Sequence, residues 1–294
     1  MTGGLGFHVS IAGGIANSVD NAIKIGCTAF QIFTRNPRGW IGKVLNEDDV
    51  RDFHKRLKDS KINPDSVAVH MPYLPNLSAP EGTGYDKSVE TLCSELVRSS
   101  ALNIPHLVIH LGSHLGKGSS NGINQLVKAC NFAIEKSNSE IQTKKVKEVT
   151  ILLENSAGQL NSVGANFEEL AKILKALDTK KRFGVCLDTC HTLAAGYGVR
   201  NKVEVDKTFR EFDNLVGIKY LKLVHLNDST NDLGSGLDRH EHIGLGKIGE
   251  EGFRAILSHN AVRKLPIIME TPIDDRRGNM ENYKYVTRLK ETIN

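Results

Sequence analysis

The stretch Ile151-Leu-Leu-Glu154 is a short apolar run that ends on a carboxylate, and similar runs recur along the chain. A run of this length is too short for a helix and is typical of a buried strand. Between most of the runs lie amphipathic stretches with a helical period. The eight predicted strands cover residues 6–10, 29–34, 67–70, 106–110, 149–154, 183–188, 221–225 and 266–270.

The alternation of strands and helices predicts a parallel sheet with helices packed against it. Eight such units fit into 294 residues, and no linker rich in Pro or Ser divides them. We therefore predict an α/β fold in which residues 1–294 form a single (β/α)8, or TIM, barrel domain. An open doubly wound sheet is the alternative, but the turn at 10–16 matches neither Gly-rich phosphate-binding pattern. The helical patterns cover residues 86–102, 122–134, 166–177 and 250–257.

The composition is that of an ordinary globular protein, with 39% hydrophobic and 24% charged residues. A formal net charge of +4 permits a polyanionic partner without requiring one. No apolar run reaches the roughly 18 residues of a membrane span, and no signal-peptide pattern is present, so we expect no membrane partner. The five cysteines include no CxxC pair, so we expect neither disulfides nor a thiolate zinc site. We predict a cytoplasmic protein in a reducing compartment.

A lysine-rich segment spans residues 136–148 and contains Lys144, Lys145 and Lys147. A charge run of this kind is typical of the solvated end of a helix and its loop. A nucleic-acid-binding arm is the alternative interpretation.

Six of the eight predicted strands end on a residue that can bind a metal ion. In a parallel barrel all strand carboxyl ends lie on one face, where barrel enzymes have their active sites, so these side chains should converge. A single histidine is more often a hydrogen-bonded core or loop residue, but recurrence at equivalent ends argues against that for the set. The six residues are His70, His110, Glu154, Asp188, His225 and Glu270.

Two local patterns add further donors. A helical turn that begins straight after Asp188 would put His191 on the same side, because residues three apart share a helix face. An extended chain at 238–242 would place Asp238, His240 and His242 on one face. Imidazoles and carboxylates suit zinc in open sites, with manganese or iron less favoured. The six strand-end residues with His191, Asp238 and His240 make nine donors, enough for two or three ions.

The net charge of the predicted metal site indicates the type of reaction. Three divalent ions against four carboxylates would leave about two positive charges, which suits an anionic substrate such as a phosphodiester. Metal ions also lower the pKa of water toward neutrality, so hydroxide is available as a nucleophile. The predicted reaction is an in-line displacement at phosphorus.

Longer motifs follow one another through nearly the whole chain. They are His8-Val-Ser-Ile-Ala-Gly-Gly-Ile15, Phe33-Thr-Arg-Asn-Pro-Arg-Gly-Trp40, His110-Leu-Gly-Ser-His114, Glu154-Asn-Ser-Ala-Gly158, Gly184-Val-Cys-Leu-Asp-Thr-Cys-His191, Val224-His-Leu-Asn-Asp-Ser229, Asp238-Arg-His240, Ile243-Gly-Leu-Gly-Lys-Ile-Gly249 and Met269-Glu-Thr-Pro272. Their sequence and order resemble the endonuclease IV family, the metal-dependent abasic-site endonucleases of base excision repair. The resemblance implies a (β/α)8 barrel that carries three Zn²⁺ ions, with Mn²⁺ as a possible substitute.

The resemblance also implies which residues hold each ion. His70, His110 and Glu154 would bind the first, and Glu154 would bridge to the second, which Asp188, His225 and Glu270 complete. The third would be held by His191, Asp238 and His240. Glu154 and Glu270 are the expected catalytic residues. His8 fits the family pattern as a residue that supports the ligands, whereas His54, His106, His114 and His259 are interpreted as ordinary histidines.

By the same resemblance, the substrate is duplex DNA with abasic sites or blocked 3′ ends, bound by a monomer. Cleavage 5′ to the abasic site would leave a 3′-hydroxyl and a 5′-deoxyribose phosphate. Tyr73 and Leu74 would enter the minor groove at the lesion, although a Pro-rich loop packed on the barrel mouth is the alternative. Arg38 matches the family's loop arginine, and Arg35 could also reach a phosphate. Gly39 stands where many members carry a longer polar side chain.

Two other functions compete with this one. A sugar isomerase or epimerase on a related barrel would use fewer metal ions and would leave His191, Asp238 and His240 without a role. A non-catalytic lesion-binding or zinc-storage protein would need no hydroxide. His242 lies outside the family's ligand set, and its contact with phosphate or with a ligand stays open at this point.

Overall fold

The computed structural model describes residues 3–142 and 148–293. Eight parallel strands close into a barrel, and their order around the barrel follows their order along the chain. The barrel strands are β1 (Leu5–His8), β2 (Ala29–Ile32), β3 (Val67–His70), β4 (His106–His110), β5 (Thr150–Glu154), β6 (Phe183–Asp188), β7 (Leu221–His225) and β10 (Ile267–Met269). Two short strands outside the barrel, β8 (Asp228–Ser229) and β9 (His240–Glu241), pair in antiparallel fashion. The predicted (β/α)8 barrel is confirmed.

Helices follow the barrel strands and cover the outside of the barrel. Three of them begin at an asparagine whose side chain accepts a hydrogen bond from the third residue of the helix, as helix N-caps do: Asn46, Asn166 and Asn201. The helices are α1 (Asn17–Ile25), α2 (Glu47–Ser60), α3 (Thr83–Ala101), α4 (Ser119–Gln142), α5 (Phe167–Ala176), α6 (Thr189–Ala194), α7 (Lys202–Leu215), α8 (Gly249–Ser258) and α9 (Asn279–Glu291). Among the described residues, none of these helices is both long enough and apolar enough to span a bilayer.

The lysine-rich segment is only partly described. Lys136 lies in α4, whereas Lys144, Lys145 and Lys147 lie outside the described residues. The interpretation of this segment as a solvated helix end and loop stays a prediction.

The barrel interior is built in layers. Successive side chains of a strand point to opposite faces, so every second residue of each barrel strand points inward. An apolar layer fills the lower interior and consists of Ala29, Ala68, Val108, Leu152, Cys186, Leu223 and Ile268. The first strand adds no side chain here, because a Cβ at Gly6 would lie 1.7 Å from the Ala29 carbonyl oxygen.

A polar layer lies two residues further along every strand, toward the carboxyl ends. Because the strand period is two, these residues share the interior face with the apolar layer beneath them. The polar layer consists of His8, Gln31, His70, His110, Glu154, Asp188, His225 and Glu270. Six of the eight are the residues predicted from the strand ends, and the barrel therefore brings these six to one face.

Candidate metal centre

Glu154 contacts three histidines of the polar layer. It is the last residue of β5, it is buried, and its Oε2 lies 3.1 Å from His70 Nε2 and 3.2 Å from His110 Nε2. Its Oε1 lies 3.0 Å from His225 Nδ1. These contacts come from β3, β4 and β7, so a single carboxylate joins donors from both sides of the barrel. The first candidate group is His70, His110 and Glu154.

The second candidate group shares that carboxylate. The ligand atoms of Glu154, Asp188, His225 and Glu270 all lie within 4.8 Å of one another. His225 Nδ1 is 3.5 Å from Glu270 Oε2 and 4.0 Å from Asp188 Oδ2. Three carboxylates around one imidazole nitrogen form a donor set suited to a divalent cation.

The third candidate group lies at the rim. Asp188 caps helix α6 by accepting a hydrogen bond from the His191 backbone N–H at 2.8 Å, so the chain turns helical directly after Asp188, as predicted. His191 Nε2 lies 3.2 Å from Asp238 Oδ1, and His240 Nε2 lies 3.3 Å from the same oxygen. The structure thus brings all nine predicted donors into three adjoining groups.

Backbone carbonyls fix the orientation of three of these histidines. The Nδ1–H groups of His70, His191 and His240 donate to the carbonyl oxygens of Met71, Asn155 and Glu270 at 2.7, 2.9 and 3.0 Å. In each ring Nε2 is then directed at the carboxylates. Metal-binding histidines usually donate their second ring N–H to a carbonyl or carboxylate in this way.

Two buried nitrogens test whether the site fits a cation. His191 Nε2 and His240 Nε2 are buried, and within the described part of the chain no hydrogen bond of acceptable geometry satisfies either of them. Both nevertheless point at Asp238 Oδ1. Buried polar atoms are almost always satisfied, and a cation placed between these two nitrogens and the shared carboxylate oxygen would satisfy both of them. The donor set fits a divalent metal ion.

The charges of the site alter the pKa values of its own groups. Burial raises the pKa of the Glu154 carboxyl, but the facing His225 and His110 outweigh burial and hold this pKa well below its usual range. Burial lowers the pKa of His191, but the carboxylates of Asp188, Asp238 and Glu154 outweigh it and raise this pKa to about 10. When no metal ion is bound, this raised pKa favours the doubly protonated, charged ring of His191 at neutral pH.

This proton predicts how the chelated protein responds to pH. A raised folded-state pKa makes the charged form of His191 stabilising below its unfolded value of 6.5, and this contribution is lost as pH rises through about 10. We expect the thermal midpoint of the chelated protein to fall between pH 6.5 and about pH 10. The thermal midpoint of the metal-loaded protein should change less, because the metal ion takes the place of the titrating proton on His191. Thermal melts at stepped pH, with and without chelator, measure both.

The control for this prediction is His191→Asn. The variant carries no titrating ring at position 191, so its chelated form should show a smaller fall between pH 6.5 and pH 10. Falls of equal size in the variant and in the wild type would contradict the assignment to His191.

Several residues that support the donors were missed by the sequence analysis. Asn227 Nδ2 donates to Asp188 Oδ2 at 2.6 Å, and Asn227 Oδ1 accepts from the Glu270 backbone N–H at 2.8 Å. Asn155 Oδ1 accepts from the Asp188 backbone N–H at 2.7 Å. Both asparagines follow directly or closely on strand ends that carry predicted donors, and that position is the signal that could have identified them.

Asp228 and Cys190 are two further omissions. The Asp228 carboxylate accepts hydrogen bonds from the backbone N–H groups of Gly244, Gly246 and Ile248 at 2.9 to 3.0 Å, which fixes the chain just after His240. The thiol of Cys190 lies within 4.8 Å of ligand atoms of Asp188 and His240. Burial raises the pKa of this thiol to about 12, which keeps it a poor ligand.

The structure corrects the suggestion that Arg35 reaches DNA. Arg35 is buried, and its Nε lies 2.5 Å from Glu95 Oε1, while Nη2 donates to Ser94 Oγ at 2.6 Å. Nη1 donates to the Trp40 carbonyl at 3.4 Å. Arg35 therefore holds the 33–40 loop on helix α3, and Arg38 on the same loop is exposed.

The open position of His242 is also resolved. Its side chain is fully buried, its Nε2 lies 2.9 Å from Asp274 Oδ1, and its Nδ1 accepts from Asn282 Nδ2 at 2.9 Å. Both ring nitrogens are satisfied within the described residues, so we interpret His242 as a structural residue. Its neighbour Glu241 faces away from the donors and pairs with Arg276 at 2.9 Å.

His8 and the four remaining histidines behave largely as predicted. His8 Nδ1 lies 3.4 Å from Glu270 Oε1, so it contacts a candidate ligand without belonging to any of the groups. His114 Nδ1 accepts from the Gly118 backbone N–H, and the His259 ring stacks on Phe209. The remaining two, His54 and His106, also lie outside the groups.

A cavity opens beside the donors on the same rim. It has a volume of about 330 Å³, and its walls include His110, Glu154, His191 and Asp238. Tyr73 and Leu74 line its mouth with 58% and 41% of their surfaces exposed. The Tyr73 ring stacks on that of His110 with centroids 6.0 Å apart. The loop after His70 thus presents apolar surface next to the candidate metal groups, while the Tyr73 ring also contacts Phe33 and His110 at the barrel mouth.

Comparison with known proteins agrees with this geometry. A family model described as a xylose isomerase-like TIM barrel matches residues 19–289. A protein of Nitrosopumilus maritimus (strain SCM1), named probable endonuclease 4, is 52% identical over 280 residues, which make up 95% of this chain and 97% of that protein. The crystal structure of endonuclease IV from Thermus thermophilus is 34% identical, covers 99% of this chain and 98% of its own, and gives a TM-score of 0.81.

A D-tagatose 3-epimerase-like protein is a more distant structural neighbour. It is 17% identical, with a TM-score of 0.71 over 99% of this chain and 97% of its own, and it shares the fold alone. The relatives named endonuclease 4 match nearly from end to end, and they confirm the family and the hydrolytic enzyme class predicted from the motifs. The chain belongs to the endonuclease IV family of nucleases.

Proposed function

We propose that the chain is a DNA-repair endonuclease that hydrolyses the phosphodiester 5′ to an abasic site in duplex DNA. The products would be a 3′-hydroxyl and a 5′-deoxyribose phosphate, and the same centre would trim blocked 3′ ends. The observation that carries this proposal is the convergence of nine donors around Glu154 beside the exposed side chains of Tyr73 and Leu74. Relatives named endonuclease 4 support it.

We assign one zinc ion to each of the three groups, with Mn²⁺ as a possible substitute. His70, His110 and Glu154 would hold the first, Glu154 with Asp188, His225 and Glu270 the second, and His191, Asp238 and His240 the third. Ions bound there would supply Lewis-acid activation of the phosphodiester and of water. Every donor is an imidazole or a carboxylate, which is the ligand set that open zinc sites use.

The protein's own residues would position the reacting groups. Glu154 is fixed by contacts to three histidines, so its carboxylate cannot rotate away from the centre of the site. Glu270 directly follows β10, its side chain is 20% exposed, and it faces His225 and His8. We assign Glu154 and Glu270 as the catalytic residues, the first buried and the second nearer to solvent.

The DNA would lie across the rim. An apolar and aromatic wedge can fill the space left by a missing base and hold a kinked duplex, and Tyr73 with Leu74 offers such a wedge. Arg38 is exposed on a loop that Arg35 and Glu95 anchor, so it could contact a phosphate at a fixed position. Gly39 beside it presents no side chain to a base.

Three broader parts of the proposal rest on the chain as a whole. Because the barrel closes with strands taken from residues 5 to 269, we propose a single catalytic domain. We further propose, from the family resemblance, that it acts as a monomer. We also propose a cytoplasmic, reducing location, which the buried free thiols of Cys27, Cys130, Cys186 and Cys190 support.

The sugar isomerase or epimerase considered from the sequence shares the fold, but the relatives named endonuclease 4 favour the nuclease. An enzyme of that kind with one or two ions would leave the group of His191, Asp238 and His240 unused. Metal analysis of the purified protein separates the two functions, because only the endonuclease proposal expects three ions per chain.

The deciding experiment measures activity and metal on one sample. Purified protein is incubated with a labelled duplex that carries one tetrahydrofuran abasic analogue, and with the same duplex without the lesion. We expect a single nick 5′ to the analogue, and none in the control duplex. If a sample that contains three metal ions leaves the lesion duplex intact, the proposed activity is wrong.

Tyr73→Ala should weaken recognition of the lesion. Stacking of an aromatic side chain on a base is worth about 1–3 kcal/mol, so binding of the abasic duplex should weaken about 5- to 150-fold. Binding of undamaged duplex should change little, because its contacts are mainly to phosphates. Fluorescence anisotropy with both duplexes measures the difference, and an equal loss for both would contradict a wedge at the lesion.

The matched control for this experiment is Tyr220→Ala. Tyr220 lies before β7, next to Lys219, and is absent from the walls of the rim cavity. Its replacement removes the same ring and should leave binding of both duplexes unchanged.

A further inference from the structure

Gln31 lies in the polar layer between three ionisable side chains. It is the third residue of β2 and is fully buried. Its Oε1 lies 2.9 Å from His225 Nε2, and its Nε2 lies 2.8 Å from Glu270 Oε1 and 3.0 Å from His8 Nδ1. A single amide therefore contacts two members of the second candidate metal group, His225 and Glu270.

The amide can adopt only one orientation here. A carboxylate oxygen accepts hydrogen bonds, so the Gln31 atom that faces Glu270 must be the NH₂ group. The carbonyl then faces His225 Nε2, which must carry the proton in order to donate. The reverse orientation would place the amide oxygen against a carboxylate oxygen and is excluded by repulsion.

This orientation decides which atoms of the two neighbours remain free. With its Nε2–H donating to Gln31, His225 directs Nδ1 at Glu154 Oε1, 3.0 Å away; this nitrogen donates to the carboxylate without a metal ion, and its lone pair would serve a metal ion once one is bound. With Oε1 engaged by Gln31, Glu270 presents Oε2, which lies 3.5 Å from the same Nδ1. Both free atoms point into the second candidate metal group.

His225 differs in this respect from three other donor histidines. His70, His191 and His240 donate from Nδ1 to backbone carbonyls and present Nε2. With a metal ion on Nδ1, His225 would have the opposite tautomer, and the acceptor that fixes its Nε2–H is the side chain of Gln31, from a strand on another part of the barrel. Its orientation therefore depends on the residue at position 31 and cannot be supplied by the local backbone.

We propose that Gln31 is the positioning residue of the second metal group: its amide selects the tautomer of His225 and the free oxygen of Glu270. The inference rests on the proposed function, because it takes His225 and Glu270 as metal ligands. Gln31 itself contacts neither metal nor substrate in this scheme.

The test compares Zn²⁺ affinity in the wild type and in Gln31→Met. Methionine has a similar length and no amide, so the variant loses the contacts to His225, Glu270 and His8. Both full-length proteins are dialysed against a series of free Zn²⁺ concentrations set by a chelator, and bound zinc per chain is counted. Partners that orient metal ligands typically change metal affinity by about 10- to 100-fold.

We expect one zinc-binding step of the variant to shift by roughly 10- to 100-fold toward higher free Zn²⁺. The other zinc-binding steps should coincide with those of the wild type. The hydrogen-bond partners of the Gln31 side chain are His225, Glu270 and His8, and none of these belongs to the first or third group. Coincident curves for all steps would overturn the proposal. A parallel weakening of all steps would overturn it too, since that is the result of general destabilisation.

Gln125→Met is the matched control. Gln125 lies in α4 and donates one hydrogen bond, to the Ala79 carbonyl at 3.3 Å. This variant should bind zinc as the wild type does, and a shift of the same single step in Gln125→Met would count against a specific role for Gln31.

A measurement on the wild type keeps the proposal testable if Gln31→Met does not fold. In zinc-loaded protein with ¹⁵N-labelled histidine, we expect the His225 ring to be protonated on Nε2, and the rings of His70, His191 and His240 to be protonated on Nδ1. A His225 ring protonated on Nδ1 would overturn the proposal.

Different results would overturn the proposed function and the role of Gln31. Wild-type protein that binds no zinc and does not nick the abasic duplex would overturn both the proposed function and the role of Gln31. Wild-type protein that binds zinc and nicks, alongside a Gln31→Met variant with the same zinc affinity at every step, would overturn the role of Gln31 alone.

Discussion

Glu154→Gln should lose most of its bound metal and roughly a thousandfold of its nicking rate, which corresponds to about 4 kcal/mol of transition-state stabilisation. Glutamine keeps the shape of the side chain but replaces one carboxylate oxygen with an NH₂ group. That group would face the nitrogens of His70 and His110 or that of His225, which approach within 3.0 to 3.2 Å. Because two candidate groups share Glu154, one substitution should affect two ions.

The measurement combines metal content with single-turnover nicking of the tetrahydrofuran duplex. Glu95→Gln is an informative control because Glu95 is also a fully buried glutamate, but it pairs with Arg35 on the outside of the barrel. Breaking a buried ion pair typically costs about 3–5 kcal/mol, so this variant should lose stability and keep its metal. If Glu154→Gln retained three ions and its full rate, the central role given to Glu154 would be wrong.

The parts of the site that follow from local sequence were predictable. Strand β5 is apolar until Glu154 and strand β6 until Asp188, and both end at those residues in the structure. The period of two in a strand and the parallel arrangement then bring these ends together without any knowledge of side-chain contacts. The helical turn from Asp188 to His191 follows from the same local reasoning, because a cap and the first turn of its helix lie within four residues.

Whether an individual polar side chain is exposed or is buried and paired could not be predicted in the same way. Arg35 and Arg38 lie on one loop and look equivalent in the sequence, but Glu95, sixty residues away along the chain, pairs with Arg35 and leaves Arg38 exposed. His242 resembles His240 in the sequence, but Asp274 and Asn282 satisfy both of its ring nitrogens. A side chain is available to a ligand only if no distant group satisfies it, and a single sequence does not reveal those distant pairs.

Gln31 illustrates a signal that the sequence did contain. It lies two residues after Ala29, as His70 lies two residues after Ala68 and Glu154 two residues after Leu152. Glutamine is an uncommon metal ligand, so a search for donors passed over it. A search for polar residues at equivalent depth in each strand would have found Gln31 and His8 together with the six strand-end donors.

Glu270→Gln should lose nicking while it still binds the abasic duplex. In the variant the amide oxygen can still accept from Gln31 Nε2, as Glu270 Oε1 does at 2.8 Å, so its NH₂ group would take the place of Oε2 near His225. One anionic donor is removed from the second metal group, and the loss of a preorganised electrostatic contact of this kind typically lowers the catalytic rate by about 10²- to 10³-fold. Tyr73, Leu74 and Arg38 are unchanged, so the affinity for the duplex should stay within about threefold.

Nicking under single-turnover conditions and anisotropy with the same duplex separate the two effects. Glu250→Gln is the control, because Glu250 lies on the outer helix α8 and contacts Arg254 and Tyr285 away from the rim. It should nick as the wild type does. Full nicking by Glu270→Gln would remove Glu270 from the reaction, whereas a parallel loss of binding and nicking would show that Glu270 acts through the DNA-binding surface. The expected separation of binding from cleavage is what distinguishes a catalytic carboxylate at the barrel rim from one that only shapes the surface around it.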